Sequence, residues 1–374
     1  MRKLRRRKNS GIDTTELYNG KIYTGDCRAV MQSLAPQSFH CVITSPPYWS
    51  MRDYGGDARE IGREKTVLQF LENMIDVGEC VKRILRDDGL YWFNIGDMYA
   101  QRNMRGGTLS TGFVVPDIGK QEIVYLPSLT AMALRSAGWR VISPVLWQKV
   151  TFARIPAQKH PVMNYEYIFQ LSKQQDHYFD IHALSATKKN RNYPTCIWRM
   201  AYDSEPGFQH SARFPIKLPE LCIISSTSEH GVCARCGKNY TRIVERKEVG
   251  KKKARPRITY TKTFTEEERG IGVHRASPSK DVKTNIRKTI GWKKACKCKT
   301  NEVVPASVFD PFLGTGTTAV ASELLGRQWA GSELTKHFTR EAAMKIRSYV
   351  RGGSIVVKRG KRKSLGLLKE RNLC

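Results

Sequence analysis

Thr44-Ser45-Pro46-Pro47-Tyr48-Trp49 sets two hydrogen-bond acceptors, the Ser45 hydroxyl and the Pro46 carbonyl, beside an aromatic ring. Pro46 and Pro47 remove backbone donors and restrict the turn, so those acceptors stay in place. The set suits an amine on a flat ring. Its hydrogens go to the acceptors, Tyr48 offers a face to the ring, and Trp49 extends or supports that wall. Far along the chain, Phe309-Asp310-Pro311-Phe312-Leu313-Gly314-Thr315-Gly316-Thr317-Thr318 offers glycines that let backbone approach a ligand at the start of a helix. It has no lysine for a nucleotide P-loop and lacks the third glycine of a dinucleotide fingerprint. Cys233-Ala234-Arg235-Cys236-Gly237 and Cys296-Lys297-Cys298 form two close thiol pairs, and four thiolates suit a structural tetrahedral zinc ion. Unliganded buried thiols are the alternative.

Alternating elements must carry these residues. Lys21 to Thr24 and Phe39 to Ile43 read as buried strands around a helix from Arg28 to Leu34. Helical spacing of apolar residues from Val67 to Leu85 ends at Asp87-Asp88-Gly89, whose glycine suits a left-handed cap, and Leu90 to Ile95 follows as a strand. A helix from Leu126 to Ala137, with Pro127 in its first turn and Gly138 at its end, precedes strands at Val141 to Trp147 and Tyr165 to Leu171. Val303 to Phe309, Thr317 to Leu325, Gln328 to Leu334 and Thr335 to Tyr349 read as strand, helix, strand, helix. This alternation predicts an α/β fold with a doubly wound, mostly parallel sheet and a small cysteine insertion. Ser45 then leaves a strand at its carboxyl end, where such folds bind ligands.

The pair of motifs resembles the β class of amino-methyltransferases that act on DNA, a permuted group with the tetrad first and the glycine turn last. The resemblance runs from about residue 20 to 350 and includes Ser50-Met51-Arg52-Asp53-Tyr54-Gly55, Asn94-Ile95-Gly96-Asp97 and Glu166-Tyr167-Ile168-Phe169. It implies a Rossmann-like fold that uses S-adenosylmethionine. Ser45, Pro46, Pro47 and Tyr48 would form the catalytic tetrad around a flipped base. Asp310, Phe312, Gly314, Gly316 and Thr317 would bind the cofactor, with Asp310 taking the ammonium of its methionine moiety; Glu333 would take the ribose and Asp26 the adenine. For both carboxylates a helix cap is the plain alternative. Phe214-Pro215-Ile216-Lys217 resembles the cofactor-covering segment, which makes Pro215 and Lys217 neighbours of the site. Serine at the head of the tetrad is more often associated with N4-cytosine methylation, and N6-adenine stays as the alternative. A catalytically inactive zinc-ribbon DNA-binding protein and an RNA methyltransferase are further alternatives. No Pro-Cys dipeptide is present for cysteine-based methylation of a ring carbon, so direct in-line transfer to nitrogen is expected.

Composition agrees. Lys and Arg number 64 against 34 Asp and Glu, and the formal net charge of +30 predicts salt-sensitive binding to a polyanion such as duplex DNA. No run approaches the roughly 18 apolar residues of a membrane span. The basic start, Arg2 to Lys8, lacks a signal peptide's apolar segment, so a cytoplasmic, nucleoid-associated place in a bacterial, archaeal or phage-infected cell is expected. Ten cysteines in such a chain point to reduced thiols or metal. A cognate restriction nuclease is an implied partner, with a solitary enzyme as the alternative.

The expected organisation is a basic arm (1–20), a catalytic half (21–171), a candidate target-recognition region (172–212), a cofactor-covering segment (213–228), a cysteine insertion with a basic loop (229–300), a cofactor-binding half (301–350) and a basic tail (351–374). The loop, including Lys251 to Lys253 and Arg255, is expected to be irregular and to grip phosphates.

Overall fold

The computed structural model describes residues 20–51, 59–150, 160–186, 195–201, 214–252 and 282–350. Residues 1–19 of the basic arm, the basic tail, Lys253, Arg255 and parts of 172–212 lie outside the described residues. The strands are β1 (Lys21–Thr24), β2 (Phe39–Thr44), β3 (Leu85–Ile95), β4 (Gly107–Thr108), β5 (Val114–Val115), β6 (Arg140–Lys149), β7 (Tyr165–Ser172), β8 (Ile197–Met200), β9 (Val232–Cys233), β10 (Thr241–Lys252), β11 (Val282–Lys293), β12 (Val303–Val304), β13 (Ser307–Asp310) and β14 (Gln328–Glu333). The helices are α1 (Cys27–Ser33), α2 (Val67–Ile84), α3 (Leu126–Ser136), α4 (Ile181–Ala186), α5 (Lys217–Ser226), α6 (Thr317–Leu324) and α7 (Lys336–Val350). Residues 241–293 form one unit and the rest of the chain the other.

The larger unit is built on an eight-stranded sheet in the order β1-β14-β13-β2-β3-β7-β6-β8. Its pairs are parallel except for β3 with β7 and β7 with β6. Central strands read as near-continuous apolar runs because both faces are covered. On β3, Tyr91, Phe93 and Ile95 join the core under α1, α2 and α3, while Leu90 and Trp92 join the opposite core under α4 to α7. Complete burial of side chains of this size contributes about 1.5–3 kcal/mol each.

Two neighbouring central strands matter most for function. After β2 the chain crosses through α2 on one face to β3; after β13 it crosses through α6 on the other face to β14. The sheet therefore has a topological switch point between β2 and β13. The crevice outside their carboxyl ends is where open α/β sheets bind ligands. Both motifs emerge there, the tetrad after Thr44 and the glycine turn after Asp310.

Three expectations need correction. Gly89 does not cap α2, which ends at Ile84 and passes directly into β3 through an extended Leu85. Gly89 instead sits where the β2–β3 register shifts, and a Cβ there would lie 2.9 Å from the His40 carbonyl oxygen. Gly89→Ala is expected to cost about 1–3 kcal/mol by overpacking, read as a lowered midpoint in denaturant unfolding. Val303 to Phe309 is two strands rather than one. Pro305 lacks the donor needed to continue the ladder, β12 pairs with β9, and β13 enters the main sheet. The expected irregular loop contains an antiparallel ribbon, β10 with β11. Within 172–212, β8 is an outer strand of the main sheet.

Candidate active site

The two motifs meet through Thr44. Its hydroxyl, at the end of β2, donates to Asp310 Oδ1 at the end of β13 over 2.7 Å, across a sequence separation of 266 residues. Thr318 Oγ1 donates to Asp310 Oδ2 (2.6 Å), and the Phe312 amide donates to Oδ1 (3.0 Å). Burial pushes the Asp310 carboxyl up to about 6 even against these three donors. The expected ammonium ligand is thus enclosed behind the cavity wall, and the lining begins one residue later at Pro311. Its place is that of a clamp between the two motifs.

One cavity spans both motifs. At one end stand Ser45, Pro46, Pro47 and Tyr48; at the other stand Gly25, Asp26, Phe312, Gly314, Thr317 and Glu333. Gly314 has φ +53, and a Cβ on it would meet nothing nearer than 4.0 Å, so its backbone borders open space. Gly316 does not line the cavity. Its φ is +81, and a Cβ would stand 3.2 Å from Ala342 Cβ, so this glycine lets α6 pack against α7.

Both acidic candidates border the cavity while also acting as caps. Glu333 Oε2 accepts from the Gly314 amide (3.0 Å) and Oε1 from the Thr335 amide (2.9 Å), which ties the glycine turn to the start of α7. Burial raises its pKa, partly offset by those donors. Asp26 caps α1 by accepting from the Arg28 amide (2.8 Å), and Arg28 Nη2 donates to its other oxygen (2.7 Å). Burial pushes this carboxyl up, but the Arg28 hydrogen bonds and charge hold it below its usual range.

The tetrad is supported by groups to which sequence reasoning gives no role. Ser45 Oγ donates to Tyr48 Oη (3.2 Å), and Tyr48 Oη donates to Glu166 Oε2 (2.7 Å). Asn94 Nδ2 donates to the same carboxylate oxygen (2.7 Å), and Lys149 pairs with Glu166 Oε1 (2.6 Å). With each hydroxyl proton directed inward along this chain, Ser45 presents lone pairs to the cavity. The Tyr48 ring is set close against Gly96, where a Cβ would stand 3.0 Å from Cε2. Trp49 is buried and donates from Nε1 to the Glu64 carbonyl (2.9 Å), supporting the wall from behind. Of the covering segment, Phe214 lines the cavity whereas Pro215 and Lys217 do not; Lys217 pairs with Glu220 at 2.8 Å.

Cys233, Cys236, Cys296 and Cys298 converge elsewhere in the same unit, with their sulfur atoms all within 4.8 Å of one another. A tetrahedral zinc site with Zn–S of about 2.3 Å places its sulfurs about 3.8 Å apart. The turn between the first two is a tight knuckle: Gly237 has φ +68, its amide donates to the Cys233 carbonyl (2.8 Å), and the Cys233 amide donates to the Lys238 carbonyl (3.0 Å). Buried His40, near the start of β2, contacts the Gly237 carbonyl through Nε2 (2.8 Å).

The family model for DNA methylases of the N6 and N4 type matches residues 39–253 and 279–344. The chain belongs to the DNA methylase family. Among curated relatives of this methylase, the type II methyltransferase M.SmaI of Serratia marcescens is 30% identical over 231 residues, covering 58% of this chain and 78% of its own. The type II methyltransferase M.Cfr9I of Citrobacter freundii is 32% identical over 225 residues, covering 57% and 74%. Among solved structures, PvuII DNA methyltransferase (cytosine-N4-specific) superposes with a TM-score of 0.52 at 16% identity, covering 89% of this chain and 92% of that one. A DNA modification methylase from Thermus thermophilus, complexed with S-adenosyl-L-methionine, gives 0.51 at 20% identity, covering 89% and 95%. These structures share the methylase's fold.

Proposed function

We propose that this DNA methyltransferase transfers a methyl group from S-adenosylmethionine to the exocyclic N4 amine of a cytosine flipped out of duplex DNA. The observation that carries the reading is the Thr44–Asp310 hydrogen bond, which holds the acceptor tetrad and the glycine turn on one cavity. The residues fit such a cofactor: Gly314 exposes backbone to open space, Glu333 brings a carboxylate to the cavity lining, and Phe214 and Phe338 supply apolar walls. When bound, S-adenosylmethionine supplies an electrophilic methyl group on a sulfonium.

The protein's own task is to make a poor nucleophile attack. The amine lone pair of cytosine is conjugated into the ring, and acceptors that take its hydrogens favour a tetrahedral nitrogen. Ser45 Oγ and the Pro46 carbonyl are assigned that role, and the Tyr48 ring stacks on the base. Serine at the head of the tetrad favours cytosine over adenine. Asp26 and Glu333 are assigned to the cofactor, and Asp310 to holding the two motifs together.

The reading is tested by nucleoside mass spectrometry of unmethylated DNA incubated with the protein and methyl-labelled S-adenosylmethionine. Labelled N4-methylcytosine is expected. Labelled N6-methyladenine would overturn the base, and label confined to a matched RNA would overturn the substrate.

The four cysteines are assigned to a structural zinc ion remote from the chemistry. Backbone amides of Arg235 and Cys236 point at Cys233 Sγ, an arrangement that stabilises a thiolate ligand. Metal analysis is expected to find one zinc per chain. Cys236→Ser with Cys298→Ser should remove it and lower the thermal midpoint, because binding energy at such a site is folding energy. Metal-free protein of unchanged stability would sink this assignment.

A further inference from the structure

The ribbon formed by β10 and β11 has a charge pattern that the active site does not explain. Nine of its 24 residues are Lys or Arg and two are acidic, about twice the cationic density of the chain, in which 64 of 374 residues are Lys or Arg. Register sorts the cations by type between its faces. Arg242 stands opposite Trp292, Val244 opposite Thr289 and Arg246 opposite Arg287, so one face carries three guanidinium groups beside an indole. On the other face Glu245 stands opposite Lys288 and Thr241 opposite Lys293, so that face is cationic too but carries ammonium groups and no guanidinium group on these rungs.

The cationic face is also organised. The Arg242 guanidinium lies 4.4 Å from the centroid of Trp292, and its Nη1 donates to Thr289 Oγ1 at 2.8 Å. A guanidinium held on an aromatic face loses less freedom on binding, and its fork of donors matches a phosphate. Arg246 stands directly opposite Arg287, which brings two guanidinium groups together on one rung. Arg242 and Arg246 are four residues apart on one strand, about 13 Å. Over such a length each strand of a duplex presents roughly four phosphates.

We propose that the face bearing Arg242, Arg246, Arg287 and Trp292 is a phosphate-binding surface for duplex DNA, formed by residues other than those that line the cavity. The proposal takes its polyanion from the methyl-transfer reading. It assigns backbone grip, which positions a duplex without reading its sequence.

The test uses the full-length protein and fluorescence anisotropy with a labelled unmethylated duplex across a range of KCl concentrations. Arg246→Gln with Arg287→Gln leaves the Arg242–Trp292 stack in place; adding Arg242→Gln completes the series. Affinity at about 0.15 M salt is expected to fall about tenfold or more, and the slope of log Kd against log salt to drop by about 0.9 for each phosphate no longer neutralised. The control Lys288→Gln with Lys293→Gln, which removes the same charge from the opposite face, is expected to leave both nearly unchanged, and circular dichroism should be native for all variants. Unchanged slopes in the arginine variants would overturn the proposal. Equal weakening in the control would overturn it too, because general charge rather than this face would then hold the DNA. Failure of the unaltered protein to bind duplex at all would instead overturn the methyl-transfer reading, and a preference for single-stranded RNA would reassign the surface.

Discussion

Ser45→Ala is expected to lower the single-turnover rate of methyl transfer about 10²–10³-fold, the usual consequence of removing one preorganised hydrogen-bonding group from the reacting atom. Binding of S-adenosylmethionine, measured by calorimetry, should be unchanged, because Ser45 follows β2 whereas Gly314 follows β13 and Glu333 ends β14. Tyr48→Ala removes both the stacking face, worth about 1–3 kcal/mol per base, and the acceptor for the Ser45 hydroxyl proton. Its effect on the rate should therefore be at least as large. Tyr48→Phe separates the two contributions. It keeps the ring against Gly96 and removes only the hydroxyl that links Ser45 to Glu166. A Ser45→Ala protein that folds, binds cofactor and methylates at the original rate would end the case for this tetrad as the amine site.

The strands and helices that carry the motifs are legible in the sequence because each has one strong local signal. β2 is buried at all six positions and reads as an apolar run, and α2 repeats its apolar residues at helical spacing between a Thr66 cap and an extended Leu85. Gly314 and Gly316 are both visible as turn residues, but their separate tasks are not, because only the packing of Ala342 against Gly316 distinguishes them. Asp310 reads as a ligand for the same reason: sequence shows a carboxylate at a strand end, whereas Thr44 and Thr318 enclosing it is a tertiary fact. The ribbon escapes a sequence reading because its strands are polar on both faces, leaving no alternation to read. Asn94 and Glu166 lie inside segments that resemble the family, yet nothing local gives them a partner. Their meeting depends on β7 running antiparallel between β3 and β6, which sets Asn94 opposite Ile168 and Trp147 opposite Glu166.

That meeting has a large expected consequence. Glu166 is buried and its carboxylate receives Tyr48 Oη, Asn94 Nδ2 and Lys149 Nζ, so Glu166→Ala deprives three donors of an acceptor and leaves the Lys149 ammonium without its carboxylate. Removing one member of a buried ion pair costs about 3–5 kcal/mol. Side-chain exposures of 11% for Glu166 and 19% for Lys149 place this pair toward the low end of that range. The thermal midpoint should fall by several degrees, and the methylation rate should fall about 10²-fold because Tyr48 and Ser45 lose their orientation. Stability and positioning can then be separated. Adding Lys149→Met removes the cation that has lost its Glu166 partner, so the double variant should regain much of the stability while its rate stays low. Glu166→Gln keeps an acceptor for Tyr48 and should retain more activity than either. If activity instead returned in step with stability in the double variant, Glu166 would be a structural ion-pair partner alone, and Tyr48 and Ser45 would hold their productive orientation without its carboxylate.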